Sequence, residues 1–242
     1  MTFTAVRKNR LEKLKERERG YFDLQFIKAT TSQHQSTCLE LLDHSPAQLR
    51  QDLFALSQVD FKRYGFFVEF GATNGRTLSN SWLLESQFGW RGILAEPART
   101  WHGALKANRT CAIDTRCVWK ASGEVLKFTE TPRLENSSIS SLTKPSRKLR
   151  GTTYDVTTVT LNELLETHNA PAVIDYMSVD TEGSEFEILS ALDFDRWSAR
   201  AISVEHNYAP QREDIKTLLV SKGYTQVMKS VSRFDDWYIK PQ

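Results

Sequence analysis

An α/β fold built on a seven-stranded, mostly parallel sheet with helices on both faces is predicted by three features of this 242-residue sequence. First, the apolar and aromatic run Phe66-Phe67-Val68-Glu69-Phe70 stops abruptly at the small residues Gly71-Ala72-Thr73-Asn74-Gly75, and a helical pattern follows. Second, short apolar runs alternate with helical spacings through most of the remaining chain. Third, the last two extended runs, 224–230 and 234–240, are joined too closely for a parallel crossover, so one of them must run antiparallel.

Taken in order, residues 7–19 form a charged helical stretch with only Leu11 and Leu14 as an apolar seam, ahead of an aromatic run from Tyr21 to Ile27. Ser45-Pro46 is a cap and first-turn pair for a helix carrying Leu49, Leu53, Leu56 and Val59. The opening strand, 66–70, is followed by a helix over 76–88, which Gly89 ends. Residues 92–96 form the second strand, 97–109 a helix with Trp101 and Leu105 one turn apart, and 112–118 the third strand. Residues 124–129 and 154–159 are extended and flank a loop rich in Ser, Thr, Pro and basic residues. Thr160-Leu161-Asn162-Glu163 is a capping box for a short helix ending near His168. Strand 173–179 runs to Asp180, a capped helix follows with Ile188, Leu189 and Leu192, and strand 201–205 runs to Glu205-His206-Asn207. Pro210 opens a last helix, closed by Gly223. Two units are expected: an N-terminal helical extension over 1–45 and one α/β domain over 46–242.

The hydrophobic share of 40% and six Trp belong to a chain with a full core rather than a disordered one. No apolar run approaches the length of a bilayer span and no signal-peptide pattern appears, so a soluble, cytoplasmic protein is expected. Cys38, Cys111 and Cys117 have no metal-binding spacing, and an odd number suits a reducing compartment. Residues 1–20 hold seven Lys/Arg against three Glu, and 131–150 hold five against one; without them the totals of 32 and 30 fall to 20 basic and 26 acidic. The body is therefore acidic. The basic segments suit an anionic partner, or equally a solvated tail and a solvated loop. Their basic residues are not interleaved with aromatics, which disfavours nucleic acid.

A strand, a glycine turn and a helix start form a socket for a nucleotide-like ligand, because glycine admits the ligand to the backbone and unpaired amides point at it. Here the turn reads E-x-G-x-x-x-G, with Glu69 before Gly71 and Gly75, instead of the G-x-G-x-x-G of dinucleotide folds. That difference disfavours a nicotinamide oxidoreductase. A carboxylate repels a pyrophosphate and welcomes a sulfonium or an ammonium, and S-adenosylmethionine carries both. Glu96 stands at the tip of the second strand, where an acid accepts hydrogen bonds from ribose hydroxyls; a plain surface acid before a helix is the other reading. Trp119-Lys120-Ala121-Ser122-Gly123 is a turn suited to lie against an adenine ring. Cofactor contacts are accordingly expected at Glu69, Gly71, Ala72, Asn74 and Gly75 in the first turn and at Asn80. They are expected also at Glu96 and Pro97, at Ser122, and at Asp180.

Seven strands with a closing antiparallel hairpin describe the class I methyltransferase fold, a Rossmann-like sheet. Four segments carry a closer likeness: Phe67 to Gly75; Ser79-Asn80 with Leu84-Glu85 and Gly89 to Pro97; Ile174 to Leu189; and Val204-Glu205-His206. In their order and spacing the sequence resembles the FkbM family of S-adenosylmethionine-dependent methyltransferases over about residues 46–240. The resemblance implies methylation of an oxygen, often a hydroxyl of a sugar, glycan or small metabolite. Residues 1–45 and 131–150 have no counterpart in it.

An alcohol acceptor must lose its proton as the methyl group arrives, so a base or a cation is needed beside it. Asp180, Glu182, Glu205 and His206 all fall at strand tips, where ligands of parallel sheets bind. His206 is the candidate general base, oriented by Glu205 or Asp180, against a purely structural histidine at a strand end. No metal-ligand motif is present, though Asp180, Glu205 and Asn207 offer oxygens to a divalent cation as an alternative. A scaffold that keeps the fold and binds the cofactor without turnover is the competing reading.

Overall fold

The computed structural model describes residues 3–131, 137–140 and 151–241, with side chains from residue 10 onward. Helices α1 (Phe3–Ala29), α2 (Ser32–Leu41) and α3 (Gln51–Ser57) precede β1 (Phe66–Phe70). Then come α4 (Trp82–Phe88), β2 (Arg91–Ala95), α5 (His102–Asn108), β3 (Ala112–Asp114), β4 (Cys117–Val118), β5 (Val125–Glu130), β6 (Ser138–Ile139) and β7 (Thr152–Val159). The chain closes with α6 (Leu161–Thr167), β8 (Val173–Val179), α7 (Glu185–Ser190), β9 (Ser198–Glu205), α8 (Arg212–Ser221), β10 (Thr225–Val227) and β11 (Asp235–Ile239).

Seven of the strands form one sheet in the order β10-β11-β9-β8-β1-β2-β3, parallel except for β11, which is antiparallel to both neighbours. This is the class I methyltransferase sheet expected from the sequence. β1 is buried on both faces, and its pleat divides the core. Phe66, Val68 and Phe70 join Ile188, Leu189, Leu164 and Leu219 from α6, α7 and α8 on one side. Phe67 joins Phe22, Phe26, Leu53, Phe54, Leu83 and Leu105 from α1, α3, α4 and α5 on the other. The order in which strands are added reverses between β1 and β8, which opens a crevice over the carboxyl ends of these parallel strands.

Residues 117–159 make a second sheet, β4-β7-β5-β6, that the sequence did not announce. The strand expected over 112–118 breaks at Thr115-Arg116, because Arg116 folds back onto the Asp114 carboxylate at 2.7 Å. β4 then leaves the main sheet and pairs with β7. Two helix starts also move. Arg50 sits at φ 63° with its guanidinium on Asp23 at 2.8 and 3.0 Å, so α3 begins at Gln51 instead of at Pro46. The helix expected from residue 76 begins at Trp82, since Leu78 is left-handed at φ 61° and the segment before Trp82 is drawn inward by Glu69. The last two strands are joined by seven residues, a longer connection than the sequence suggested.

The aromatic run of α1 is core. Phe26 meets the edge of Trp237, which stacks on Phe54 at 4.7 Å between centroids. Residues 10–20 of α1 are exposed throughout. Deleting residues 1–45 is therefore expected to uncover Phe54 and Trp237 and to lower Tm by well over about 10 °C. Deleting only residues 1–17 should leave Tm within about 2 °C, because the positions described there, 10–17, are exposed and carry little stability. Equal melting of the two truncations would refute this division of α1.

Candidate functional site

A cavity of about 1100 Å³ lies over the carboxyl tips of β1, β2, β8 and β9. That exceeds the usual span of a single small-ligand site, leaving room for a cofactor and an acceptor together. Its floor is the β1 turn. Gly71 has φ 67°, and a Cβ there would meet the Asp180 carbonyl oxygen at 2.3 Å, so only glycine lets the β1 and β8 tips approach.

Glu69, the acid on which the sequence reading depended, does not line the cavity. Its carboxylate is buried and accepts hydrogen bonds from Ser79 Oγ at 3.0 Å, the Asn80 amide at 2.8 Å and Ser81 Oγ. The buried Arg109 guanidinium lies 3.9 Å away, donating also to Glu85 at 2.6 Å and to the Gly75 carbonyl at 3.0 Å. Glu69 thus fastens the segment after the turn; with its oxygens saturated by the protein, it has none left for a sulfonium. Gly75 is not in the cavity wall either. A Cβ there would strike Leu105 and Arg109, so this glycine serves packing. Ser122 likewise lies outside the wall, with its hydroxyl on Thr160.

The other expected cofactor residues do line the cavity: Gly71, Ala72, Asn74, Asn80, Glu96, Pro97 and Asp180. Asn74 spends its side-chain oxygen on the Arg76 and Thr77 amides, which shapes the turn. Glu96 accepts from the Thr73 and Ala98 amides, each at 2.8 Å. Burial pushes its carboxyl up to about 7 against those two donors. Beyond Glu96 the wall turns apolar, with Trp101 from the short turn after β2 and Cys117, Val118, Phe128 and Ile139 from the second sheet. These residues were missed in the sequence because β4, β5 and β6 were not recognised as one layer.

At the carboxyl ends of β8 and β9, Asp180, Glu182, Glu205 and His206 line the cavity together. The carboxyls of Asp180 and Glu205 share a hydrogen bond; burial, and then each acid's neighbouring negative charge, raises both above the usual carboxylate range. Such a pair retains a proton at neutral pH. Glu185, at the start of α7, turns its carboxylate back onto the Thr181 and Gly183 amides at 2.9 and 3.0 Å, fixing the loop that carries Glu182.

His206, the expected general base, stands in the cavity wall but is held by the protein. Its Nδ1 accepts from the Tyr208 amide at 2.9 Å, and its Nε2 is buried 3.6 Å from Asp236, which Arg212 holds at 2.8 Å. Burial pushes the imidazole below its ordinary value. With one nitrogen occupied and the other turned to Asp236, the ring is a strand-end brace and is not poised to take a substrate proton.

Six carboxyl side chains line the cavity (Glu96, Asp180, Glu182, Glu185, Glu205 and Asp235), with no Lys or Arg among the described residues. Such a wall suits a ligand bearing a sulfonium and an ammonium, and disfavours a pyrophosphate. Arg133, Lys144, Arg147, Lys148 and Arg150, the basic residues expected to recruit an anionic acceptor, lie outside the described residues. No group of three or more His, Cys, Asp or Glu among the described residues could hold a metal ion.

The buried acids also set a pH dependence. Burial pushes Asp52 and Asp235 up to about 6 and Glu96 up to about 7. Folded-state values above those of the unfolded chain give stability that is complete below about pH 4 and is lost as pH rises through 6 to 7. Asp114 is shifted the other way; although burial opposes this, hydrogen bonds from Arg116 hold it low, so its contribution fails as pH falls below the usual carboxylate range. The unliganded protein should melt highest near pH 5 and lower at pH 8 in a calorimetric series; a monotonic rise to pH 8 would contradict this balance.

A profile described as the methyltransferase FkbM domain matches residues 69–233. No curated protein sequence matches the chain. Among solved structures, precorrin-6y C5,15-methyltransferase from Geobacter metallireducens is 11% identical, with 78% of this chain and 85% of that one covered at a TM-score of 0.44. A methyltransferase FkbM from Methylobacillus flagellatus is also 11% identical at 0.44, covering 92% of this chain but only 59% of its own length. A human methyltransferase 10 domain-containing protein is 14% identical at 0.40, with 80% and 81% covered. No helix among the described residues is long and apolar enough to cross a membrane.

Proposed function

The chain belongs to the FkbM family of methyltransferases, and from that premise we propose that it methylates a hydroxyl oxygen of a sugar, glycan or small metabolite. S-adenosylmethionine, when bound, supplies an electrophilic methyl group on a sulfonium. The observation carrying the oxygen assignment is the proton-sharing Asp180–Glu205 pair at the cavity end formed by β8 and β9. A hydroxyl is a poor nucleophile until its proton is drawn away, and a carboxyl pair whose proton affinity is raised toward neutrality is suited to draw it.

In this reading Glu96, held rigid by the Thr73 and Ala98 amides, takes the ribose hydroxyls. Gly71, Ala72, Asn74 and Pro97 shape the floor beneath the cofactor. Asp180 receives the acceptor proton, Glu205 holds the shared proton and sets the pair's affinity, and Glu182 faces the acceptor from the loop that Glu185 braces. The apolar second-sheet wall excludes water from one side. Holding oxygen, methyl and sulfur in line supplies most of the remaining acceleration. The metal-assisted alternative gains no support, since the residues around Asp180 and Glu205 form no metal-holding group.

Glu96→Ala should weaken binding of S-adenosylhomocysteine by about tenfold to a hundredfold in calorimetry, the worth of one or two charge-assisted hydrogen bonds. Unchanged affinity would remove Glu96 from the ribose site. Mass spectrometry of an acceptor pool incubated with methyl-labelled cofactor then tests the reaction itself: label on oxygen supports the proposal, label on nitrogen or carbon overturns it, and binding with no transfer to any acceptor favours the non-catalytic scaffold.

A further inference from the structure

Four residues of the cavity wall carry a buried polar atom with no hydrogen-bond partner among the described residues; those of Glu205 and His206 belong to the β9 tip already described, and the other two are unexplained. One is the side-chain oxygen of Asn80 and the other the indole nitrogen of Trp101. A protein interior seldom leaves such groups unpaired, because desolvating them without a new partner is costly.

Asn80 is 8% exposed and clamped. Its backbone amide donates to Glu69 at 2.8 Å, and its side-chain Nδ2 donates to Ser178 Oγ at 2.9 Å. Ser178 is tied in turn to Ser203, and Ser203 to Tyr176, so the amide cannot swing to find another partner. What remains is one acceptor in the wall of the cavity that Gly71 and Asp180 also line. Trp101 is fixed by its backbone amide, which donates to the Ala98 carbonyl at 3.1 Å, at the end of the short turn that follows Glu96. Its ring packs against the cluster of Cys117, Phe128 and Ile139, whose side chains offer an aromatic base apolar contact and no competing oxygen. Glu96, just past the end of β2, lines the same cavity.

We propose that these atoms are the polar anchors for the two ends of the cofactor. Asn80 Oδ1 accepts from the α-ammonium of the methionyl part, and Trp101 Nε1 donates to a ring nitrogen of the adenine. A donor faces the acceptor-rich base and an acceptor faces the cation, which sets the direction in which the ligand lies and brings its sulfonium past Gly71 toward Asp180. The inference rests on the family's cofactor being S-adenosylmethionine.

The test uses calorimetric binding of S-adenosylhomocysteine, which carries the ammonium, and of methylthioadenosine, which has the same nucleoside without it. Asn80→Ala should weaken the first by about tenfold or more and the second by less than about twofold. Asn80→Asp, which keeps an acceptor oxygen, should preserve the preference for the first ligand. Trp101→Phe should weaken both by about fivefold to tenfold. With methylthioadenosine analogues carrying CH in place of N1, N3 or N7, the wild type should discriminate against one and Trp101→Phe against none. The selectivity ratio does not follow stability, so a merely structural role for Asn80 would leave it unmoved. Equal weakening of both ligands by Asn80→Ala, or no discrimination among the analogues by the wild type, would overturn the corresponding assignment while leaving the cofactor in place. Failure of the wild type to bind S-adenosylhomocysteine would instead overturn the reading beneath it.

Discussion

Replacing Arg109 with methionine should cost about 3–5 kcal/mol of folding stability, enough to leave a marginally stable protein largely unfolded at 37 °C. The guanidinium is wholly buried and serves Glu85, the Gly75 carbonyl, Ser79 and Ser81 while it neutralises Glu69. Without it the buried Glu69 and the partly buried Glu85 lose their countercharge, and neutral serines cannot replace it. Urea unfolding of R109M would measure the loss. Adding Glu69→Gln to R109M should recover part of it, because the uncompensated charge is then gone. A loss below about 1 kcal/mol would mean that serine hydroxyls and the Asn80 amide alone satisfy Glu69.

The second large effect should be kinetic. Asp180→Asn is expected to lower kcat by about 10²- to 10⁴-fold, the usual worth of a positioned base, with S-adenosylhomocysteine affinity changed by less than about threefold. Because burial, and then neighbouring negative charge, raises the pair's proton affinity, with Glu205 pushed up to about 8, the wild-type rate should climb with pH through neutrality. Glu205→Gln removes that neighbour's charge, lowers the value at Asp180 and should move the acid limb of the profile to lower pH. A limb that stayed in place would show that the two carboxyls do not act as a unit, and a D180N enzyme with full kcat would remove Asp180 from the chemistry.

Both effects concern residues whose environment was only half visible in the sequence. The parallel sheet was legible because β1, β8 and β9 are short apolar runs ending in acids, a pattern that follows from burial on both faces. The Thr160 cap was legible as well, and its hydroxyl does accept from the Glu163 amide. Glu69 was misjudged for a physical reason: a carboxylate at a strand tip looks the same in a sequence whether it faces a ligand or turns inward, and the arginine that decides the matter comes 40 residues later. His206 misled in the same way, since Asp236 is brought to it only by the return of β11, while the Tyr208 amide occupies its other nitrogen. The apolar wall from Cys117 to Ile139 escaped notice because strands of two residues carry no periodicity to read.

β4 and β7, the first and last strands of the second sheet, run side by side, with Val118 opposite Val159. The chain thus departs from and rejoins the main fold at one doorway, so residues 119–158 behave topologically as a cassette. A segment of different length and sequence could be grafted between those two gateposts with little added loop-closure entropy and no shift in the seven-strand register. Such grafting would let chimeras exchange the apolar side of the cavity while inheriting the β8 and β9 carboxyl pair intact.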